Sequence, residues 1–336
     1  MRDLFSKFLG RSPASQMAKL PAVSVALFGK HPAWGDHIDN LGDESLFLFA
    51  ARNLLYGEGL TRQIGSGAWE KLSDERRLPA FDHFFVWYLG GRMLTGLLWS
   101  SSDSHGRTQY PLIVVAETHR RHDPSLVRHM LERMLSAKAE CLAATEQAAV
   151  RTALDGLRQS LLQIVPREPL DKLELSIGKG FKPLDGEIAR LFHELRSSSA
   201  HLTAKKWSSD KESEGAVILR VPLREDDRCD LGEWVSLIGP HLHPDVSILS
   251  FAARVEGIGD IVLGLPNAQN FFFLRASPKA LPFTTEIPFD VAGGLSEYAD
   301  AVLAGLKRCE LPPRTLFGDV PAQKIAWTGI GQLLKG

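Results

Sequence analysis

Residues 84–116 read FFVWYLGGRMLTGLLWSSSDSHGRTQYPLIVVA, and their pattern indicates the type of sheet that the chain forms. It contains three apolar runs, at 84–89, 93–99 and 110–116, with turn-forming or polar residues between them. Gly90-Gly91 is typical of a tight hairpin turn, because such turns require positive φ angles. Pro111 lies near the start of the third run, where a missing N–H is tolerated. The pattern predicts an antiparallel meander of three strands.

Further elements follow in adjacent runs on both sides of this meander. Strands are predicted at 22–28, 216–221, 246–255, 260–265 and 270–275. Helices are predicted at 42–64, at 125–165 with a possible break at Gly156, and at 184–195, 231–238 and 295–306. Because strands and helices do not alternate strictly, we predict an α/β fold of the α+β type, with a mixed, largely antiparallel sheet flanked by helices.

Changes in composition suggest four parts of the chain. They are a flexible leader (1–21), a motif-bearing part (22–165), a second half of the same α/β fold (166–281) and a C-terminal extension (282–336). In the leader, Leu4, Phe5, Phe8 and Leu9 are spaced to lie on one side of a short helix. The leader is therefore either a loosely docked end or an amphipathic helix for a partner or a membrane surface.

The bulk composition excludes several classes of function. The 336 residues carry a formal net charge of −1 and no basic stripe, which argues against nucleic-acid binding. The three cysteines are far apart and form no CxxC pair, so a zinc ribbon is excluded and a reducing cytoplasm is favoured. No apolar run approaches the roughly 20 residues of a membrane span. We predict a cytoplasmic protein with no integral membrane span.

The first informative motif, GKHPAWGD, occupies residues 29–36 at the end of the first predicted strand. Its Gly29-Lys30 pair suggests a phosphate-binding loop, but Ser24 stands where that loop needs its first glycine. His31 also stands where the loop needs Ser or Thr. The glycines and the proline instead predict a tight turn. The Asp36 carboxylate would then reach backbone N–H groups or an arginine.

The second motif is the polar loop of residues 99–111, which separates two apolar strands. Its informative residues are Trp99, Ser101, Asp103, Gly106, Arg107, Tyr110 and Pro111. Polar loops on a rigid sheet are where binding surfaces tend to lie. Two interpretations stay open for Asp36 and Arg107. They pair across the two loops and hold the fold, or the two loops together form a surface that faces a partner.

Together the two motifs resemble the TagF/ImpM family over residues 22 to about 165. That family shows G-K-x-P-x-x-G-D-F, then F-D-x-x-F/W…G-R…G, then W-x-S-x-D-x-x-G-R-x-Y-P. The first of these family patterns is matched by Gly29, Lys30, Pro32, Gly35 and Asp36. The pattern in the middle is matched by Phe81, Asp82, Phe85, Gly91, Arg92 and Gly96, and the last pattern by the residues of loop 99–111 named above. His37 replaces the usual Phe, one extra residue precedes Tyr110, and a later GLP at 264–266 with Phe271 is similar too.

The resemblance implies a role and no reaction. It implies a non-catalytic accessory or regulatory protein of a bacterial type VI secretion system, which acts post-translationally by protein–protein docking. The implied partners are a forkhead-associated scaffold protein, linked to a Ser/Thr kinase–phosphatase pathway, or other type VI secretion components. No cofactor is expected. The motif residues named above are then either partner-binding or fold-defining.

Two alternative functions remain open at this stage. One is a structural component of a contractile secretion assembly. The other is a metal-dependent hydrolase, because His241, His243 and Asp245 resemble the beginning of an H-x-H-x-D-H zinc motif. Val246 replaces the last histidine of that motif, which argues against the metal. His119 and His122 are interpreted as a solvated patch, and no G-x-S-x-G or H-E-x-x-H motif occurs.

Overall fold

A computed structural model describes residues 21–89, 92–118, 124–165, 185–203, 215–223, 230–243, 245–254, 256–287 and 293–307. Several predictions fall outside these residues. They are those on the leader before Pro21, the Gly90-Gly91 turn, His119 and His122, and the part of the C-terminal extension beyond residue 307.

Within the described residues, eight strands form one sheet in which every neighbouring pair is antiparallel. The strands are β1 (Val23–Gly29), β2 (Ile38–Gly42), β3 (Asp82–Leu89), β4 (Arg92–Ser100), β5 (Pro111–Thr118), β6 (Val217–Pro222), β7 (Ile248–Ala253) and β8 (Ile258–Leu263). Their order is β2-β1-β5-β4-β3-β7-β8-β6. The predicted meander lies at the centre, and the predicted fold class is confirmed. Since β3 also pairs with β7, strands from both halves of the chain share the sheet.

Helices cover both faces of the sheet. They are α1 (Leu46–Ala51), α2 (Thr61–Ser66), α3 (Pro124–Ala143), α4 (Gln147–Ile164), α5 (Asp185–Ser198), α6 (Asp230–Ile238) and α7 (Gly293–Lys307). The two larger cores of the described residues lie on opposite sides: one under α3 to α7, and one under α1, a π-helix (Arg52–Leu60) and a 3-10 helix (Ala268–Arg275). A sheet buried on both faces takes apolar residues at most positions, which explains why its central strands read as nearly continuous apolar runs.

Three predicted elements differ from the structure. Residues 270–275, predicted as a strand, belong to the 3-10 helix, which Asn267 caps by accepting a hydrogen bond from the Gln269 N–H at 2.9 Å. The helix predicted over 125–165 breaks at residues 144–146, while Gly156 is exposed within α4, where nothing forces a break. The helix predicted from Gly42 begins at Leu46, because residues 38–42 form β2.

The first helix is capped and anchored by polar contacts. Ser45 caps this helix by accepting a hydrogen bond from the Leu48 N–H at 3.0 Å. The buried Glu117 on β5 accepts hydrogen bonds from the Ser45 hydroxyl and from the Arg92 guanidinium. The apolar spacing within residues 42–64 predicts a buried side made of Leu46, Phe49, Leu54, Leu55 and Leu60. The last three are buried, but Leu46 and Phe49 are exposed, so the prediction is wrong for those two.

Gly96 shows why one motif position in the central sheet needs glycine. It pairs with Phe85 across β3 and β4, and the Phe85 ring lies over it. A Cβ atom at residue 96 would stand well inside contact distance of both that ring and the Val114 carbonyl oxygen. The matched positions Phe85 and Gly96 are therefore one packing unit.

A pH-dependent loss of stability is expected from His83 on β3, which is 2% exposed. Burial lowers the pKa of His83 to about 3, from an ordinary value of 6.5. Between those two pH values the unfolded chain binds a proton that the folded chain does not, so stability falls as the pH falls. The His83→Phe variant should remove up to about 1.4 kcal/mol per pH unit of that slope. Urea unfolding of both proteins from about pH 7 to pH 4 measures it, and parallel curves would contradict it.

Candidate functional site

The two motif loops meet at one end of the sheet. Loop 30–37 follows β1, and loop 101–110 precedes β5; we call them the paired loops. Because β1 and β5 are antiparallel neighbours, with Gly29 opposite Leu112, the loop leaving one strand lies beside the loop entering the other. Gly29 has φ 118°, and a Cβ atom there would overlap the Pro111 carbonyl oxygen. The Ser104 N–H donates to the Trp34 carbonyl at 2.8 Å and joins the loops directly.

A buried ion pair joins the paired loops at their base. The Lys30 ammonium donates to Asp103 Oδ2 at 2.6 Å, and both side chains are almost fully buried. The ammonium also lies 5.4 Å from the centre of the Tyr110 ring. Residues 73 positions apart in the sequence are thereby fixed to each other. The ion pair therefore joins the two loops through side chains that are buried from solvent.

Asp103 organises its own loop around its carboxylate. Oδ1 accepts the backbone N–H groups of His105 (3.0 Å) and Arg107 (3.1 Å), and Oδ2 accepts Arg107 Nε at 2.6 Å besides Lys30. Burial by itself raises the pKa of Asp103, but the hydrogen bonds from Lys30, Arg107 and His105 outweigh it and hold the pKa well below its usual range. Gly106 closes the turn with φ 74°. The carboxylate stays ionised and holds Arg107 in place.

The predicted contact between Asp36 and Arg107 is present at the surface. Arg107 Nη2 donates to the Gly35 carbonyl at 3.0 Å and to Asp36 Oδ1 at 3.3 Å. The Arg107 side chain is 50% exposed and the Asp36 side chain is 76% exposed, so this ion pair does little to hold the loops together. Asp36 Oδ1 also accepts the His37 N–H at 2.9 Å; that bond, and then the charge of Arg107, lower the pKa of Asp36.

An aromatic cluster that the sequence analysis did not identify borders this pair. His37 Nδ1 lies 2.6 Å from the Tyr56 hydroxyl, and the His37 ring lies 4.7 Å from the Tyr110 ring in an edge-to-face arrangement. Tyr56 belongs to the π-helix, a kind of element that is frequent at functional sites. Burial, and then the charge of Lys30, lower the pKa of His37. The clue in the sequence was His37 itself, because the TagF/ImpM family that the motif resembles has a phenylalanine ring at this position.

A cleft of about 300 Å³ opens between the paired loops and the end of α3. Its lining includes Pro32, Trp99, Ser101, Thr108 and Leu142. His31 holds the loop against α3: its Nδ1 accepts the Ala33 N–H at 3.1 Å, so its Nε2 donates to the Cys141 carbonyl at 2.9 Å. Burial raises the pKa of the Cys141 thiol to about 11, which keeps it protonated and unsuited to nucleophilic attack.

The remaining predicted motif residues lie around this same end of the sheet. Pro32 and Trp99 contribute to the cleft, Gly35 is exposed at the tip of its loop, and Pro111 begins β5. The structure thus brings the residues of both motifs together on one end of the sheet.

The histidines of the zinc-like motif, His241 and His243, lie beside side chains of other elements and of their own loop. His241 ends a short 3-10 helix, and its Nε2 lies 2.8 Å from the buried Tyr298 hydroxyl. His243 Nδ1 lies 3.7 Å from an Asp245 carboxylate oxygen. Among the residues that the structure describes, no three His, Cys, Asp or Glu side chains are grouped so as to hold a metal ion.

Comparisons with known proteins identify no family for this chain. No protein-family model matches it, and no curated protein matches it. Among solved structures, that of PA0076 from Pseudomonas aeruginosa PAO1 aligns with a TM-score of 0.40 and 16% identity, over 75% of this chain and 94% of that one. A likeness at this level assigns no function. None of the helices in the described ranges has the length and apolar character needed to cross a membrane.

Proposed function

We propose that this protein is a cytoplasmic, non-catalytic accessory protein of a bacterial type VI secretion system, and that it regulates secretion post-translationally by docking. One observation carries the proposal. The two motifs that resemble the TagF/ImpM family are joined by the buried Lys30–Asp103 pair into a single assembly at one end of the sheet. A forkhead-associated scaffold protein, or another type VI secretion component, is the partner we propose.

The physical form of the paired loops suits recognition better than stabilisation. A buried ion pair is weak evidence for stability, since apolar residues of similar volume often stabilise a fold as well or better. What the Lys30–Asp103 pair does achieve is a fixed position for the exposed Arg107. Rigid presentation of a polar side chain lowers the entropic cost of binding a partner. The paired loops are therefore the surface that we propose for docking.

The test is deletion of the gene in a bacterium that carries it with an active type VI secretion system. A lost brake raises the amount of secreted substrate in the medium, whereas a lost structural component abolishes it. Affinity purification of the tagged protein, with mass spectrometry, should recover type VI components. Unchanged secretion together with no such component among the recovered proteins would reject the proposal.

The Arg107→Gln variant is expected to fold but to recover less partner in affinity purification. When it is returned to the deletion strain, it should lower secretion less than the wild-type protein does. The reason is that it removes an exposed, preorganised cation while Asp103 keeps Lys30. Lys279→Gln is the matched control, because Lys279 forms an equally exposed ion pair with Glu75 at 2.8 Å in other segments. Equal behaviour of the two variants, at equal thermal midpoints, would contradict a role for the paired loops.

A further inference from the structure

Hydrogen bonds to the protein hold the exposed Arg107 side chain in one orientation. Its Nε donates to the buried Asp103 carboxylate at 2.6 Å, and its Nη2 donates to the Gly35 carbonyl at 3.0 Å. These two bonds fix the plane of the guanidinium while half of the side chain stays exposed. Within the part of the chain that the structure describes, Nη1 makes no hydrogen bond. An arginine fixed on one side, with donors directed elsewhere, is poised to take an acceptor from outside.

Asp36 meets this arginine only weakly. A single contact of 3.3 Å, between Nη2 and Oδ1, joins them, and the same Oδ1 already accepts the His37 N–H. The carboxylate is 76% exposed, so water screens the attraction. A carboxylate in good geometry would instead bind the guanidinium through two parallel hydrogen bonds. Asp36 therefore lies where another carboxylate could bind the Arg107 guanidinium in better geometry, through two hydrogen bonds.

We propose that Arg107 binds a carboxylate from an acidic segment of the docking partner, and that this carboxylate displaces Asp36. The acceptor that the chain itself places there is a carboxylate, which favours that chemistry over a phosphate. The identity of the partner rests on the proposed function, but the binding chemistry does not. In this arrangement Asp36 is an internal competitor, so its removal strengthens partner binding while removal of Arg107 abolishes it.

The chemistry can be tested with the full-length chain and acetate as the carboxylate probe. The Arg107 Nε–Hε signal, identified by its loss in Arg107→Lys, is followed by NMR while acetate replaces chloride at constant ionic strength. We expect that signal to shift with acetate, and we expect Asp36→Asn to lower the half-saturating concentration about twofold to fivefold. Asn keeps a side-chain oxygen for the His37 N–H, so the loop is preserved. Glu75→Gln, which removes the carboxylate of the exposed Lys279–Glu75 pair, should leave the titration unchanged.

Two results would overturn the proposal. One is an acetate titration that is unchanged or weakened in Asp36→Asn, which would make Asp36 a contributor to binding and not a competitor. The other is saturation by inorganic phosphate with no response to acetate, which would assign the site to a phosphate group. Because the titration needs no secretion system, a failed secretion assay beside a positive titration rejects the proposed function and leaves the Arg107 site standing.

Discussion

Replacing Arg220 with methionine is expected to lower the free energy of unfolding by about 3–5 kcal/mol, the cost of removing one partner of a buried ion pair. Arg220 on β6 is 1% exposed and binds both oxygens of the buried Asp260, at 2.7 Å and 2.9 Å. Its remaining N–H groups donate to the carbonyls of Phe273, Ala276 and Leu281. All five donors of the guanidinium are used, so the side chain ties the 3-10 helix and the following loop to the sheet.

Urea unfolding of the wild type and Arg220→Met measures this loss. Arg220→Lys separates charge from geometry, because it keeps the positive charge but cannot form the two parallel bonds to Asp260. Its free energy of unfolding should fall nearly as much as that of Arg220→Met. Arg158→Met is the matched control, because Arg158 pairs with Asp43 and Asp155 at the surface and should cost about 1 kcal/mol or less. Similar losses for Arg158→Met and Arg220→Met would show that breaking the buried pair costs no more stability than breaking a surface pair.

The second large effect is expected at Lys30, where Lys30→Met should lower the free energy of unfolding by about 3 kcal/mol. This is the lower end of the range for a broken buried pair, because Asp103 keeps Arg107 Nε and two backbone N–H groups. Asp103→Asn should destabilise more than Lys30→Met, since the buried ammonium then has no carboxylate at 2.6 Å.

A double-mutant cycle isolates this interaction. The variant with both Lys30→Met and Asp103→Asn should lose less stability than the sum of those two single variants, because neither Lys30 nor Asp103 is then left as a buried charge without its partner. Asp36→Asn is the surface control and should leave the unfolding midpoint where it is. Simple additivity of the two buried changes would mean that Lys30 and Asp103 stabilise the loops independently.

The candidate site was predictable as a set of residues but not as a set of contacts. The glycines, the proline and the polar loop placed the two motifs at the ends of strands, where the structure has them. The expected bond between Asp36 and Arg107 is present, yet it lies at the surface. The pair that joins the loops, Lys30 with Asp103, was not predicted, because two exposed and two buried charges look alike in a sequence.

The local elements follow from the amino-acid sequence, because apolar runs and turn residues act over a few neighbouring positions. The central strands, most of the helices and the face of α7 with Leu295, Tyr298 and Val302 could be read in that way. Tertiary structure alone decided which of two forms residues 268–275 adopt, since Phe271 and Phe273 would be buried equally well in a strand or a helix. It also decided that Lys30 meets Asp103, because that contact requires β1 and β5 to lie side by side and bring together residues 73 positions apart.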